Sequence, residues 1–193
     1  MTTARRGGPP REVRIIGGRW KRSKLPVADA PGLRPTPDRV RETLFNWLGQ
    51  DLAGWRCLDA FAGSGALGFE AASRGAAEVV LVERDAALVR SLRESQQRLH
   101  ADTLRVVAAD ALAFMRRAPP QSVELVLLDP PFDAGLAEPA LAAAAPLVTA
   151  GGFVYLEAER PLDEASLPAL GLSLHRQARA GAVHFHLLRK LPA

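Results

Sequence analysis

Asp129-Pro130-Pro131-Phe132 is a run of side chains suited to one demanding reaction. An exocyclic amine on a nucleobase is a poor nucleophile, because its lone pair is delocalised into the ring. Methylating it requires acceptors that draw its hydrogens out of the ring plane. Asp129 offers a carboxylate and Pro130 a carbonyl on a fixed backbone. Phe132 offers a face on which a flipped-out base can stack, worth roughly 1–3 kcal/mol. Asp129, Pro130 and Phe132 are therefore candidate catalytic residues forming an amine clamp. The plainer reading is a turn that ends a strand over a packed Phe.

A second cluster suits a nucleoside ligand. Gly63-Ser64-Gly65-Ala66-Leu67-Gly68 fits G-x-G-x-x-G, whose glycines allow a tight turn and close backbone approach. Glu83, 20 residues after Gly63, suits ribose hydroxyls. The same loop suits NAD, but Asp59 would set a negative charge against a pyrophosphate. A cationic, phosphate-free ligand such as S-adenosylmethionine tolerates that acid better. Asp110 is either an acceptor for an adenine amine or the N-cap of the helix after it. His184 and His186 share a strand face, but nothing supplies a third ligand, so no metal is expected and a partly exposed edge strand is the simpler reading.

These residues need elements to hold them. From Arg56 onward, short apolar strands alternate with helices: strands at "RCLDAF", "EVVLVE", "LRVVAA", "VELVLLD" and "FVYLEAE", and helices at Gly65–Arg74, Ala86–Leu99, Asp110–Arg117 and Leu136–Val148. Almost continuously apolar strands of this kind imply a parallel sheet covered on both faces. The acids then fall at strand ends, where open α/β sheets bind ligands. "LSLHRQARAGAVHFHLLRK" predicts an antiparallel edge hairpin turning at Ala180-Gly181. Upstream, "VRIIGGRWKRSKL" predicts a β-hairpin with Gly17-Gly18 as a two-residue turn. A helix follows, with Thr36 as N-cap, Pro37 at its first position and Gly49 closing it. Its apolar face is Val40, Leu44, Phe45, Trp47 and Leu48.

Charge divides the chain of 193 residues unevenly. Residues 1–47 hold 11 Lys/Arg against 4 Asp/Glu, while the remainder is mildly acidic. A basic front on such a body is the footprint of a polyanion-binding arm. We read residues 1–10 as a disordered tail, 11–35 as the basic arm and 36–193 as the catalytic domain. Arg14, Arg19, Trp20, Lys21, Arg22 and Lys24 are its candidate RNA contacts; Trp20 either stacks on a base or packs beneath the hairpin. The lone Cys57 excludes an internal disulfide. No apolar run approaches the ~20 residues of a membrane span, and no h-region follows the basic start. The expected location is the cytoplasm.

"LDAFAGSGALG", Glu83, Asp110 and "DPPF" together resemble the motifs of class I S-adenosylmethionine-dependent methyltransferases acting on exocyclic amines. "RIIGGRWKRSKLPV", "GLRPTPDRVRETLFNWL" and "FAGSGALGFEAASRGA" resemble, more narrowly, the ribosomal RNA small-subunit methyltransferase D family. That resemblance implies a Rossmann-like α/β fold: a doubly wound, seven-stranded, mostly parallel sheet with an antiparallel C-terminal edge hairpin and an N-terminal β-hairpin. It implies methyl transfer to the N2 amine of one guanine in 16S rRNA, on an assembled 30S subunit. A monomer is expected. It places S-adenosyl-L-methionine against Asp59, Phe61, Gly63, Gly65, Glu83, Asp110 and Ala111, and the target base at Asp129–Phe132. Arg34, Thr36 and Arg39 match a segment bordering the cofactor pocket. An adenine-N6 or cytosine-N4 methyltransferase would use the same clamp, an NAD-dependent oxidoreductase the same loop, and a non-catalytic RNA-binding module the same arm.

Overall fold

A computed structural model of the chain describes residues 12–28 and 35–192. The tail 1–10, Arg11 and Arg34 lie outside the described residues. The strands run β1 (Glu12–Arg14), β2 (Lys24–Pro26), β3 (Arg56–Asp59), β4 (Glu78–Glu83), β5 (Leu104–Ala108), β6 (Val123–Leu128), β7 (Val148–Ala158), β8 (Leu172–Ala180) and β9 (Val183–Lys190). The helices are α1 (Asp38–Leu48), α2 (Ala66–Ser73), α3 (Ala86–Arg98), α4 (Ala111–Arg117) and α5 (Ala137–Ala144).

Seven strands form one sheet in the order β5-β4-β3-β6-β7-β9-β8, and β1 pairs with β2 apart from it. β3 to β7 are mutually parallel, whereas β9 runs antiparallel to β7 and to β8. This is the doubly wound, Rossmann-like class I methyltransferase fold, with its chain reversal between β3 and β6. One face buries Leu44, Phe45, Phe69 and Leu92 of α1–α3, together with Val13, Ile15 and Leu25 of the hairpin. The other buries Met115 and Leu141 of α4 and α5. Trp47 stacks on Phe185 at 5.3 Å, tying α1 to β9.

Five local expectations are corrected. The N-terminal hairpin exists, but Gly17-Gly18 is not its turn, since Glu12 faces Pro26 and Arg14 faces Lys24. Residues 15–23 form a longer loop instead, closed by Ile15 N–H to Ser23 and Arg22 N–H to Ile15. Thr36 does not cap α1: Pro37 occupies that position without any side-chain cap, and Asp38 begins the helix. The Ala-rich helix stops at Ala144 and passes through a single 3₁₀ turn containing Pro146. Gly151-Gly152 then sits in an irregularity of β7, where a Cβ on Gly152 would come 2.7 Å from the Glu124 carbonyl. The C-terminal turn is Gly181-Ala182, one residue later than read. Finally, His184 and His186 lie on β9, which is flanked by β7 and β8. His186 is buried and kept neutral by that burial; its ring lies between Leu162 N–H and the Leu156 carbonyl.

Candidate functional site

Register turns the strand-end acids into a staircase. Asp59 ends β3 level with Leu81 and Leu127, so Glu83 on β4 and Asp129 after β6 both project two residues further. Glu83 pairs with Ala108, which puts Asp110 two residues further again. On the other side, Leu128 pairs with Leu156, so Asp129 and Glu157 stand side by side.

The glycine loop occupies the reversal point. Gly63 and Gly65 have φ of +54° and +82°, the left-handed region that L side chains avoid. A Cβ on Gly65 would come 2.7 Å from Leu92 and Phe69. Glu83 is held by two backbone donors: Gly63 N–H to Oε2 at 3.0 Å and Asp85 N–H to Oε1 at 2.9 Å. It remains half-exposed, so its carboxylate is aimed before any ligand arrives. Asp110 is exposed and accepts from Ala113 N–H at 2.9 Å, so the N-cap reading holds whatever else it does. Ala111 is buried and Phe61 packs partly into the α4/α5 core.

Asp59 is placed differently from its neighbours. It is buried under the loop, accepting from Gly68 N–H at 2.9 Å, and its Oδ1 has no partner. It thereby occupies an amide of the first turn of α2, the end a dinucleotide phosphate would need. Burial, then the charges of Glu83 and Glu157, push its pKa up to about 7 against the stabilising amides of Gly68 and Phe61.

Asp129 and Pro130 follow β6 beside this loop. Phe132 opens a 3₁₀ turn and is one of two large apolar side chains exposed among the described residues. The carboxyl of Asp129 lies 3.4 Å from Thr36 Oγ1, which donates to Glu157 Oε1 at 2.9 Å. Tyr155 donates its hydroxyl to the same Oε1 at 2.9 Å. Thr36 is thus brought to the clamp rather than to a helix end, while Arg39 is exposed on α1. Burial first, and then the charges of Glu157 and Asp59, hold Asp129 well above the usual carboxylate range. Glu157 and Tyr155 are buried and were not singled out from sequence. The signal was present, because Glu157 is the first acid to interrupt the apolar run "FVYL" of a fifth strand.

The basic arm is partly spent on structure. Arg14 pairs with Asp38 at 3.1 Å and Lys24 with Glu12 at 2.8 Å. Arg41 is fully buried, donating to the carbonyls of Thr36 and Arg14 and to Glu70 and Asp38. Trp20 packs partly into the core, with the Arg19 guanidinium 5.8 Å from its ring centroid. Arg19, Lys21 and Arg22 are exposed and make no ion pair among the described residues.

Comparison with known proteins agrees with this geometry. The family model described as "conserved hypothetical protein 95" matches residues 13–189. The chain is 44% identical over 186 residues to ribosomal RNA small subunit methyltransferase D of Escherichia coli strain K12, covering 93% of this chain and 90% of that one. Against the protein of the same name from Haemophilus influenzae it is 39% identical, covering 91% and 93%. A solved Escherichia coli structure, provisionally named the methyltransferase yhhF, superposes with a TM-score of 0.81 at 40% identity, covering 93% of this chain and 98% of that one. With a family model matched over nearly the whole chain, relatives of this identity and coverage, and an Asp-Pro-Pro-Phe turn beside a glycine loop on a sheet of this order, the chain belongs to the family of the ribosomal RNA small subunit methyltransferase D proteins.

Proposed function

We propose that this protein transfers a methyl group from S-adenosyl-L-methionine to the exocyclic N2 amine of a guanine in 16S rRNA. It would act as a monomer on an assembled 30S subunit in the cytoplasm. The observation that carries this reading is the pairing of Asp129, its carboxyl 3.4 Å from the buried Thr36 hydroxyl, with the exposed ring of Phe132 three residues on. A packed strand terminator would bury the ring. The relatives named for rRNA methylation supply the substrate class.

The cofactor residues fit their ligand chemically. The preset carboxylate of Glu83 suits vicinal hydroxyls, and Gly63 and Gly65 give the loop the left-handed backbone that its tight turn past Glu83 requires. The bound cofactor supplies an electrophilic methyl on a sulfonium. Asp129 and the Pro130 carbonyl hold the amine hydrogens so that its lone pair faces that methyl. Phe132 stacks on the base, and Arg19, Lys21 and Arg22 take phosphates, which position without reading sequence. An NAD reading fits less well, because Asp59 takes the Gly68 amide.

Single-turnover methyl transfer to 30S subunits lacking the modification tests the proposal, with the product mapped by mass spectrometry. Asp129→Ala should lower the rate about 100- to 1000-fold, the usual cost of one preorganised electrostatic partner. Asp129→Asn keeps an acceptor oxygen and should retain partial activity. Near-full activity of Asp129→Ala would reduce the loop to a strand terminator.

A further inference from the structure

Behind the clamp lies a chain of hydroxyl and carboxyl groups that amine clamping alone does not require. We propose, on the basis of the methyltransferase reading, that Glu157 is a positioning residue sharing a proton with Asp129 through the Thr36 hydroxyl. It would free Asp129 to accept from the amine and then help it dispose of the proton the reaction releases.

The geometry sets the direction of the chain. Thr36 has one hydroxyl hydrogen and two carboxyl groups within reach. At 2.9 Å that hydrogen is committed to Glu157 Oε1, leaving the hydroxyl oxygen as acceptor towards Asp129 Oδ2 at 3.4 Å. A proton on Asp129 completes that contact. Glu157 Oε1 also takes the Tyr155 hydroxyl, so it receives two O–H hydrogens and forms the ionised end. Parallel register holds Asp129 and Glu157 abreast. Facing them from β3 is Asp59, with its unpartnered Oδ1, and from β7 Tyr155. No cation pairs with Asp59, Asp129 or Glu157 among the described residues. Three carboxyls so placed, Asp59 and Glu157 buried and Asp129 half-buried beside them, cannot all ionise, and interacting groups titrate as a unit. Burial raises both members of the pair, but hydrogen bonds from Tyr155, Thr36 and Asp129 hold Glu157 down, while the charges of Glu157 and Asp59 raise Asp129 further against the lowering effect of the Thr36 hydroxyl. The shared proton therefore rests on Asp129.

The step balances as follows. When the amine enters, Asp129 O–H passes its proton to Thr36 Oγ1 and Thr36 passes its own to Glu157 Oε1, leaving Asp129 a carboxylate. The amine nitrogen bonds to the methyl carbon as the carbon–sulfur bond breaks, with that electron pair remaining on sulfur. The surplus proton on nitrogen goes to Asp129. The pair then holds two protons, and one leaves to water with the product.

The test reads Asp129 directly. Its carboxyl titration is followed by ¹³C NMR on the full chain labelled at aspartate carboxyls, with Asp129→Asn for assignment. Glu157→Gln keeps an acceptor for both hydroxyls but carries no charge, so the Asp129 midpoint should fall by about one to three pH units. Thr36→Val keeps the Glu157 charge but removes one of the two hydrogens that hold it ionised, so the midpoint should fall by less than in Glu157→Gln. Should Glu157→Gln fold poorly, Tyr155→Phe removes one hydrogen holding Glu157 ionised and should also lower the midpoint. In methyl transfer, the acid limb of Glu157→Gln should move down with that midpoint, with cofactor affinity unchanged. Steady-state turnover of Thr36→Val should drop roughly 10-fold, below the usual contribution of a positioned proton acceptor because Asp129 remains, and Thr36→Ser should restore it. An unmoved Asp129 midpoint in folded Glu157→Gln overturns proton sharing, and a Thr36→Val as fast as Thr36→Ser overturns the relay. Absence of methyl transfer by the unmutated protein refutes the enzymatic reading instead, and the NMR titration still decides whether the proton is shared.

Discussion

Asp59 has one oxygen fixed by Gly68 and one without a partner. Its pKa is raised from the ordinary 3.8 to about 7, so the folded protein binds this proton more tightly than the unfolded chain does. The stabilisation is complete below about pH 4 and is lost as pH rises through 7. Three pH units correspond to something on the order of 4 kcal/mol. Asp59→Asn keeps an acceptor for Gly68 and stays neutral. Without cofactor it should melt several degrees above the unmutated protein at pH 8, and the gap should narrow towards pH 5, as followed by calorimetry. Equal pH dependence of the two would mean that Asp59 is solvated. At this scale the sequence was most informative where an acid followed an apolar run: Glu83, Asp110 and Asp129 all stand at strand ends. It was least informative for Thr36, whose local context is that of a cap. Only a contact with residue 157 makes it part of the clamp, and no local pattern carries that.

Among the elements, α2 carries the tightest demands. All eight of its residues are buried, with the glycine loop at its N-terminus and the basic hairpin docked at its other end. Glu70 accepts from Ile16 N–H at 2.9 Å and Gly17 N–H at 2.8 Å, and also binds Arg41 and Arg74. Ser73 accepts from Arg19 and Trp20 N–H and donates to the Gly17 carbonyl. Gly18 has φ +73°, and a Cβ there would stand 1.8 Å from the Ser73 carbonyl oxygen. Gly18→Ala should therefore cost at least the roughly 1–2 kcal/mol of left-handed strain and undock the loop. Hydrogen exchange should quicken at Ile16, Gly17 and Trp20, and RNA affinity should fall while cofactor affinity holds. Unchanged protection would show the loop to be adaptable. The glycine pair was legible as a special backbone site but misread as a turn. What it meets is another helix, 50 or more residues away in sequence, and turn chemistry is blind to that.

The whole molecule presents less positive charge than its N-terminal quarter contains. Arg41 is buried, and Arg14 and Lys24 are paired. Arg19, Lys21 and Arg22 are thus the hairpin cations best placed to displace counterions from RNA. Each phosphate contact contributes about 0.7–0.9 to the log–log salt slope, so replacing all three with Gln should flatten it by roughly 2–3. Binding measured across a salt series checks this, and a slope unchanged within error would make these residues a solvated surface. Among the described residues no helix is long and apolar enough to cross a membrane. The alternation of strands and helices was readable because parallel strands buried on both faces leave apolar runs. The strand order was not readable, since periodicity says which residues are inside and nothing about which strands are neighbours.

The contact between Thr36 and Glu157 spans 121 positions, and that separation orders assembly in time. Thr36 is among the earlier residues made, yet its hydroxyl finds its acceptor only after β7 has been added to the sheet. The hairpin waits in the same way for Glu70 and Ser73. Such long-range closures carry a loop-entropy cost and slow folding. During synthesis the basic hairpin therefore meets solvent and other polyanions before α2 is there to receive it. The support behind Asp129 therefore closes only when five of the seven sheet strands, β3 to β7, have been made.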